Sequence, residues 1–138
     1  MIESSIVTLN GKIIDYAKGT PASVEFDFER VWRHIKKCPT GAIHFIHVHP
    51  QGLTKLSLKD VECILGFNMA LGNYGTYWFS IITFDNSDLF NIKHTCTIYQ
   101  CNNQKDFYEV SENPQISNDQ LLFLKHLSYG KEIENANI

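Results

Sequence analysis

The sequence predicts an α/β chain of the α+β kind, a mixed sheet with helices packed against it. Short runs rich in β-branched and aromatic residues recur along the chain, as strands do. Between them lie stretches whose apolar residues repeat at i, i+3, i+4 and i+7, the period of an amphipathic helix. A chain of 138 residues, 43% apolar and 20% charged, also has the size and composition of one globular domain with a single core. No repeat, low-complexity tract or linker divides it. The domain is expected to span residues 1–130, with a polar, frayed tail over 131–138.

Residues 5–9 and 12–17 are two apolar-rich runs around Asn10-Gly11, the strongest short-range hairpin signal. Gly19-Thr20-Pro21 breaks the second run, and Ser23-Val24-Glu25-Phe26 is a brief extended segment. Asp27 then caps a helix whose Phe28, Val31, Trp32 and Ile35 follow the helical period, with Trp32 read as core. Pro39-Thr40-Gly41 stops that helix. Residues 42–49, Ala-Ile-His-Phe-Ile-His-Val-His, read as a strand ended by Pro50 and Gly52, because proline removes a ladder donor and glycine permits a sharp turn.

Ser57 caps a second helix with Val61, Ile64, Leu65, Met69 and Leu71 as its apolar face and Gly72 as its close. Tyr77 to Phe84 is nearly continuous in aromatic and β-branched residues, as a central strand buried on both faces is. Trp78 within it is read as core. Asp85 to Asp88 is a turn. Ile92 to Tyr99 is a strand, Phe107 to Val110 a short edge strand, and Asn118 to Leu127 a final helix with Leu121, Leu122 and Leu124 inward. The element order is β-β-α-β-α-β-β-β-α.

The stretch that carries chemistry is His47-Val48-His49-Pro50, with Ser57 and Asp60 beyond it. Side chains at i and i+2 of a strand share a face, so His47 and His49 project together and His44 points the other way. A cap at Ser57 places Asp60 in the first helical turn, aimed back at the strand end. Two neutral imidazoles and one carboxylate leave a fourth tetrahedral position open, the ligand count of a catalytic zinc site. Each half has a plainer reading. Ser-x-x-Asp before an apolar helix is an ordinary capping box, and His-x-His at a strand end can simply meet solvent. Their conjunction favours the metal.

His-x-His-Pro, six residues, Ser, two residues and Asp resembles the JAMM motif of the MPN+ zinc metalloproteases. That family includes deubiquitinases and prokaryotic relatives that release ubiquitin-like or sulfur-carrier proteins from conjugates. The resemblance is specific over residues 42–60 and agrees in layout from residue 3 to about residue 100. Val48 departs from the Ser or Thr usual at that place and is no ligand, so the departure bears on substrate fit. The resemblance implies an MPN-like curved mixed sheet, Zn2+ on His47, His49 and Asp60, and Ser57 assisting the oxyanion. It also implies a general-base glutamate just before the first strand, the position of Glu3. Glu25, in the extended segment before the Asp27 helix, is the competing carboxylate.

The implied activity is zinc-dependent hydrolysis of an isopeptide or peptide bond after the C-terminal tail of a ubiquitin-like or sulfur-carrier modifier. The alternatives are a non-catalytic MPN scaffold and a cell-wall or tail-assembly peptidase of the same fold. A net charge of −3 gives no footprint for nucleic acid, and Lys36-Lys37 is a solvated helix face. No apolar run approaches the roughly 20 residues of a membrane span. The first residues lack the basic and apolar regions of a signal peptide. The four cysteines form no Cys-x-x-Cys pair, so a reducing cytoplasmic setting is expected. His94, Cys96 and Cys101 are read as structural rather than as a second metal site, and the oligomeric state is left open.

Overall fold

The computed structural model describes residues 1–38, 41–71, 77–101, 107–110 and 115–130. Among these residues nine elements follow the expected order: β1 (Ser4–Leu9), β2 (Lys12–Lys18), α1 (Phe28–Ile35), β3 (Ile43–Val48), α2 (Leu58–Leu71), β4 (Tyr77–Phe84), β5 (His94–Cys101), β6 (Phe107–Val110) and α3 (Asn118–Tyr129). The strands form one six-stranded sheet in the order β2-β1-β3-β4-β5-β6. Only β3 and β4 run parallel. A parallel pair needs a crossover, and α2 supplies it.

Local chemistry explains the edges of these elements. Asn10 (φ 53°) and Gly11 (φ 82°) both adopt left-handed backbone, which the tight β1–β2 hairpin requires at its two central residues. Asp27 caps α1 by accepting from the Arg30 N–H at 3.0 Å, and Ser117 caps α3 through the Gln120 N–H at 3.1 Å. The segment 23–26 joins no strand of the sheet. The expected boundaries at Pro39, Thr40 and Gly72 and the tail 131–138 lie outside the described residues.

The sheet is covered on both faces. One core packs Val31 and Ile35 of α1 and Ile64, Phe67 and Leu71 of α2 against Val7, Phe45, Tyr77 and Phe79. Phe45 and Phe67 stack with centroids 4.2 Å apart. The other core packs Leu121, Leu124 and Leu127 of α3 against Ile6, Ile46, Val48, Ile82 and Phe84. β3 and β4 are buried almost throughout, so the histidine strand lies at the centre of the molecule.

Helix rotation is where the apolar pattern misleads. On α2 the inward face is Ile64, Phe67, Asn68 and Leu71, while Leu65 is 42% and Met69 86% exposed. The helix is apolar around much of its circumference, so periodicity alone leaves its rotation open. Asp60 settles it, since Ile64, Phe67 and Leu71 follow at i+4, i+7 and i+11 on the same face. Trp32 is not core but 38% exposed, stacked on Phe28. On α3, Leu122 is only partly buried, and Lys125 takes an inward place. The Lys125 ammonium donates to the carbonyls of Asn86 and Asn91 and to Asn86 Oδ1. It lies over the rings of Phe84 and Tyr129. β5 begins two residues later than its apolar run suggests, at His94, because Asn91 Oδ1 caps a turn through the Lys93 N–H.

His44 lies on the face opposite the other two strand histidines, buried, with its Nε2 against Ser80 Oγ. Burial pushes its imidazole down from 6.5 to about 3. The folded chain therefore holds His44 neutral where the unfolded chain protonates it. Its contribution is fully present above the unfolded value and is lost as pH falls toward 3, by about 1.4 kcal/mol per pH unit. Urea unfolding of the metal-free protein at pH 7.5 and 5 should show the parent losing about 2 kcal/mol more than His44→Gln. Equal losses would show that His44 is protonated inside the fold.

Candidate metal centre

Three elements bring four side chains to one point. β3 carries His47 on the face of Phe45, and His49 follows just past the strand end. β1 pairs antiparallel with β3 through Ser5–His47 and Ser4–Val48. One step further, that register sets Glu3 opposite His49. Glu3 is no loose charge. It is 7% exposed, its N–H donates to Thr20 O and its carbonyl accepts from the Gly19 N–H. α2 supplies Asp60 from its first turn, held by a reciprocal cap in which Ser57 N–H donates to Asp60 Oδ2 at 2.8 Å and Asp60 N–H donates to Ser57 Oγ at 3.1 Å. The geometry is that of the plain capping box, and it holds the Asp60 carboxylate toward the two histidines.

The histidines are oriented from behind. Nδ1 of His47 meets the Ser80 carbonyl at 3.1 Å, and Nδ1 of His49 meets the Leu53 carbonyl at 2.9 Å. A carbonyl only accepts, so each Nδ1 carries the ring proton and each Nε2 presents a lone pair. The two Nε2 atoms lie 2.7 Å apart. Asp60 Oδ1 is 3.2 Å from one and Asp60 Oδ2 3.1 Å from the other. One ligand atom each from Glu3, His47 and His49 fall within 4.8 Å of one another. Phe79 and Phe26 pack edge-on against the His47 ring.

The electrostatics follow from this crowding. Burial lowers the His47 pKa in spite of its bond to Asp60. Burial also opposes charge on His49, but Asp60, the Leu53 carbonyl and Glu3 outweigh it and raise that pKa. Asp60 is held well below the ordinary carboxylate range, its burial overcome by the two imidazoles and the Ser57 N–H. Burial raises the Glu3 carboxyl. Converging lone pairs and carboxylates in a buried place can hold a cation, and two imidazole nitrogens with carboxylate oxygen are a donor set that fits Zn2+.

The centre opens on both sides. A cavity of about 400 Å³ is lined by Glu3, His49, Leu53, Lys55 and Ser57 among others, and a second of about 320 Å³ by Phe26, Asp60, Cys63 and Phe79 among others. Glu25 stands in the second, its side chain 82% exposed and paired with Lys59 at 3.3 Å. The group whose ligand atoms gather within 4.8 Å holds Glu3, His47 and His49 and neither Glu25 nor Asp60, although Asp60 reaches both histidines. His34 and His126 are exposed and apart. His94 and Cys96 line a cavity beneath α3, whereas Cys101 is buried in the core on the other face, so these three do not converge on one ion.

The residue pattern finds His47, His49, Ser57 and Asp60. It misses the Ser80 and Leu53 carbonyls, which are backbone groups with no residue signature, and Phe26, which nothing in its local sequence ties to His47. Comparison with family models and with curated proteins gives no match. Among the described residues no helix is long and apolar enough to cross a membrane.

Proposed function

We propose that the chain is a zinc-dependent hydrolase of the JAMM type, cleaving an isopeptide or peptide bond after the extended tail of a ubiquitin-like or sulfur-carrier modifier. The observation that carries this reading is the pair of Nε2 atoms 2.7 Å apart, each ring locked by a carbonyl behind it, beside Asp60 and Glu3 at the wall of an open cavity. His47, His49 and Asp60 would hold the ion. Zinc in such a site would supply Lewis acidity and make water a far stronger acid near neutral pH.

The chain's own groups do the rest. Glu3 takes a proton from the attacking water and returns it to the leaving amine nitrogen, so that water adds across the amide and gives a carboxylate and a free amine. Burial raises the Glu3 pKa, which moves a carboxylate toward the range where it can both accept and return a proton near neutrality. Ser57 Oγ already accepts from the Asp60 N–H and retains its own proton to donate to the carbonyl oxygen as charge develops there. An extended tail is the substrate form proposed, since such tails bind by pairing along exposed backbone with side-chain pockets setting specificity.

The test is cleavage by untagged protein of a panel of ubiquitin-like and sulfur-carrier fusions with Gly-rich tails, beside cell-wall peptides. Cleavage after the Gly-rich tail, abolished by chelator and restored by zinc, is the expected result. Cleavage confined to cell-wall peptides overturns the substrate assignment. Stoichiometric zinc with no cleavage of any substrate favours the scaffold.

A further inference from the structure

We propose that Gly52 is a positioning residue of the metal centre, whose left-handed backbone directs the Leu53 carbonyl onto Nδ1 of His49. The inference rests on the reading of His49 as a ligand and adds a residue that offers no ligand atom itself.

Pro50 to Leu53 form a turn closed by the Leu53 N–H donating to the Pro50 carbonyl at 3.0 Å. Gly52, its third residue, has φ +85°, the value that a type II turn requires at that place. The carbonyl of Leu53 is thereby folded back over the chain and accepts from His49 Nδ1 at 2.9 Å. The approach to Gly52 is fixed independently. The His49 N–H donates to the Ile82 carbonyl at 2.9 Å, and Gln51 Nε2 donates to the Asp85 carbonyl at 2.9 Å. With that approach set, the left-handed backbone at residue 52 directs the chain so that the Leu53 carbonyl can reach His49. His47 has no such dependence, because its carbonyl partner is Ser80 within β4.

Space is not the reason for glycine here. A Cβ added at Gly52 meets nothing within 4 Å, and the same holds at Gly11 (φ +82°) in the β1–β2 turn. Alanine at either position brings backbone strain without a clash, whereas asparagine tolerates the left-handed region far better. Gly11→Ala is therefore a matched control, equal in strain and on another turn.

Zinc affinity, measured by competition with a chromogenic chelator on the full chain, should fall about 10–100-fold in Gly52→Ala, the usual loss when the outer partner of a metal histidine is disturbed. Gly52→Asn should recover most of it, and Gly11→Ala should bind as the parent does while losing comparable thermal stability. Nitrogen-15 NMR of the metal-free protein at mildly alkaline pH supplies a readout independent of zinc. His49 should populate the Nδ1–H tautomer in the parent and a mixture in Gly52→Ala, with His47 unchanged. Parent-like affinity and an unchanged His49 tautomer in Gly52→Ala would overturn the proposal. A parent that binds no zinc but shows the Gly52-dependent tautomer would keep the positioning role and remove the metal reading instead.

Discussion

Replacing His47 and His49 together with alanine should abolish zinc binding and all activity while leaving the chain folded. Elemental analysis of protein purified without chelator or affinity-tag metal is expected to give about one zinc per parent chain and none in the variant. The fold should survive because the central sheet carries an apolar core on each face without the imidazoles. Some loss of stability is expected, since Asp60 and the Ser80 and Leu53 carbonyls would lose their partners. Circular dichroism and a cooperative urea transition check that the fold is kept. Near-stoichiometric zinc in the folded variant would exclude these ligands.

Glu3→Gln should keep zinc and substrate binding but lower turnover by about 10²–10⁴-fold, the range for removing a positioned general base. The amide of glutamine fills the same space and cannot accept the proton. Glu25→Gln should turn over as the parent does, because Glu25 is solvated and paired with Lys59. The pair of variants also separates a base from a ligand. Glu3 lies in the same cluster as the histidines, so a Glu3→Gln chain that loses its zinc would place Glu3 among the ligands. The reverse activity pattern would move the base to Glu25.

The element order was legible because the signals of each element are local. Asn10-Gly11 states a hairpin in two residues, Asp27 and Ser57 state helix starts, and Tyr77 to Phe84 is too evenly apolar for a half-exposed strand. The candidate ligands were legible for the same reason, as His47, His49 and Asp60 lie on one strand-to-helix connection. Glu3 was not. Its place depends on the β1–β3 register, a long-range pairing, and only the family resemblance pointed to it. The rotation of α2 was hidden by its own hydrophobicity, and it took Asp60 at the site to reveal why Met69 faces outward. Lys125 was hidden differently, because a lysine in a helix ordinarily marks the solvent side. Here three oxygens and two rings receive its charge.

The residues on either side of Glu3 are both fastened to one residue of α3. Ile2 N–H donates to the Ser128 carbonyl at 3.0 Å, and Ser4 Oγ shares a hydrogen bond with Ser128 Oγ at 2.6 Å. The carboxylate assigned as the base thus stands in a short bracket whose far support is a helix on the opposite face of the sheet. Partial openings of a protein proceed in contiguous cooperative units. An opening that lifts α3 would release the bracket and with it the aim of Glu3, while the β3–α2 connection that holds His47, His49 and Asp60 stayed closed. A partial opening confined to α3 would thus act on Glu3 before it acted on His47, His49 and Asp60.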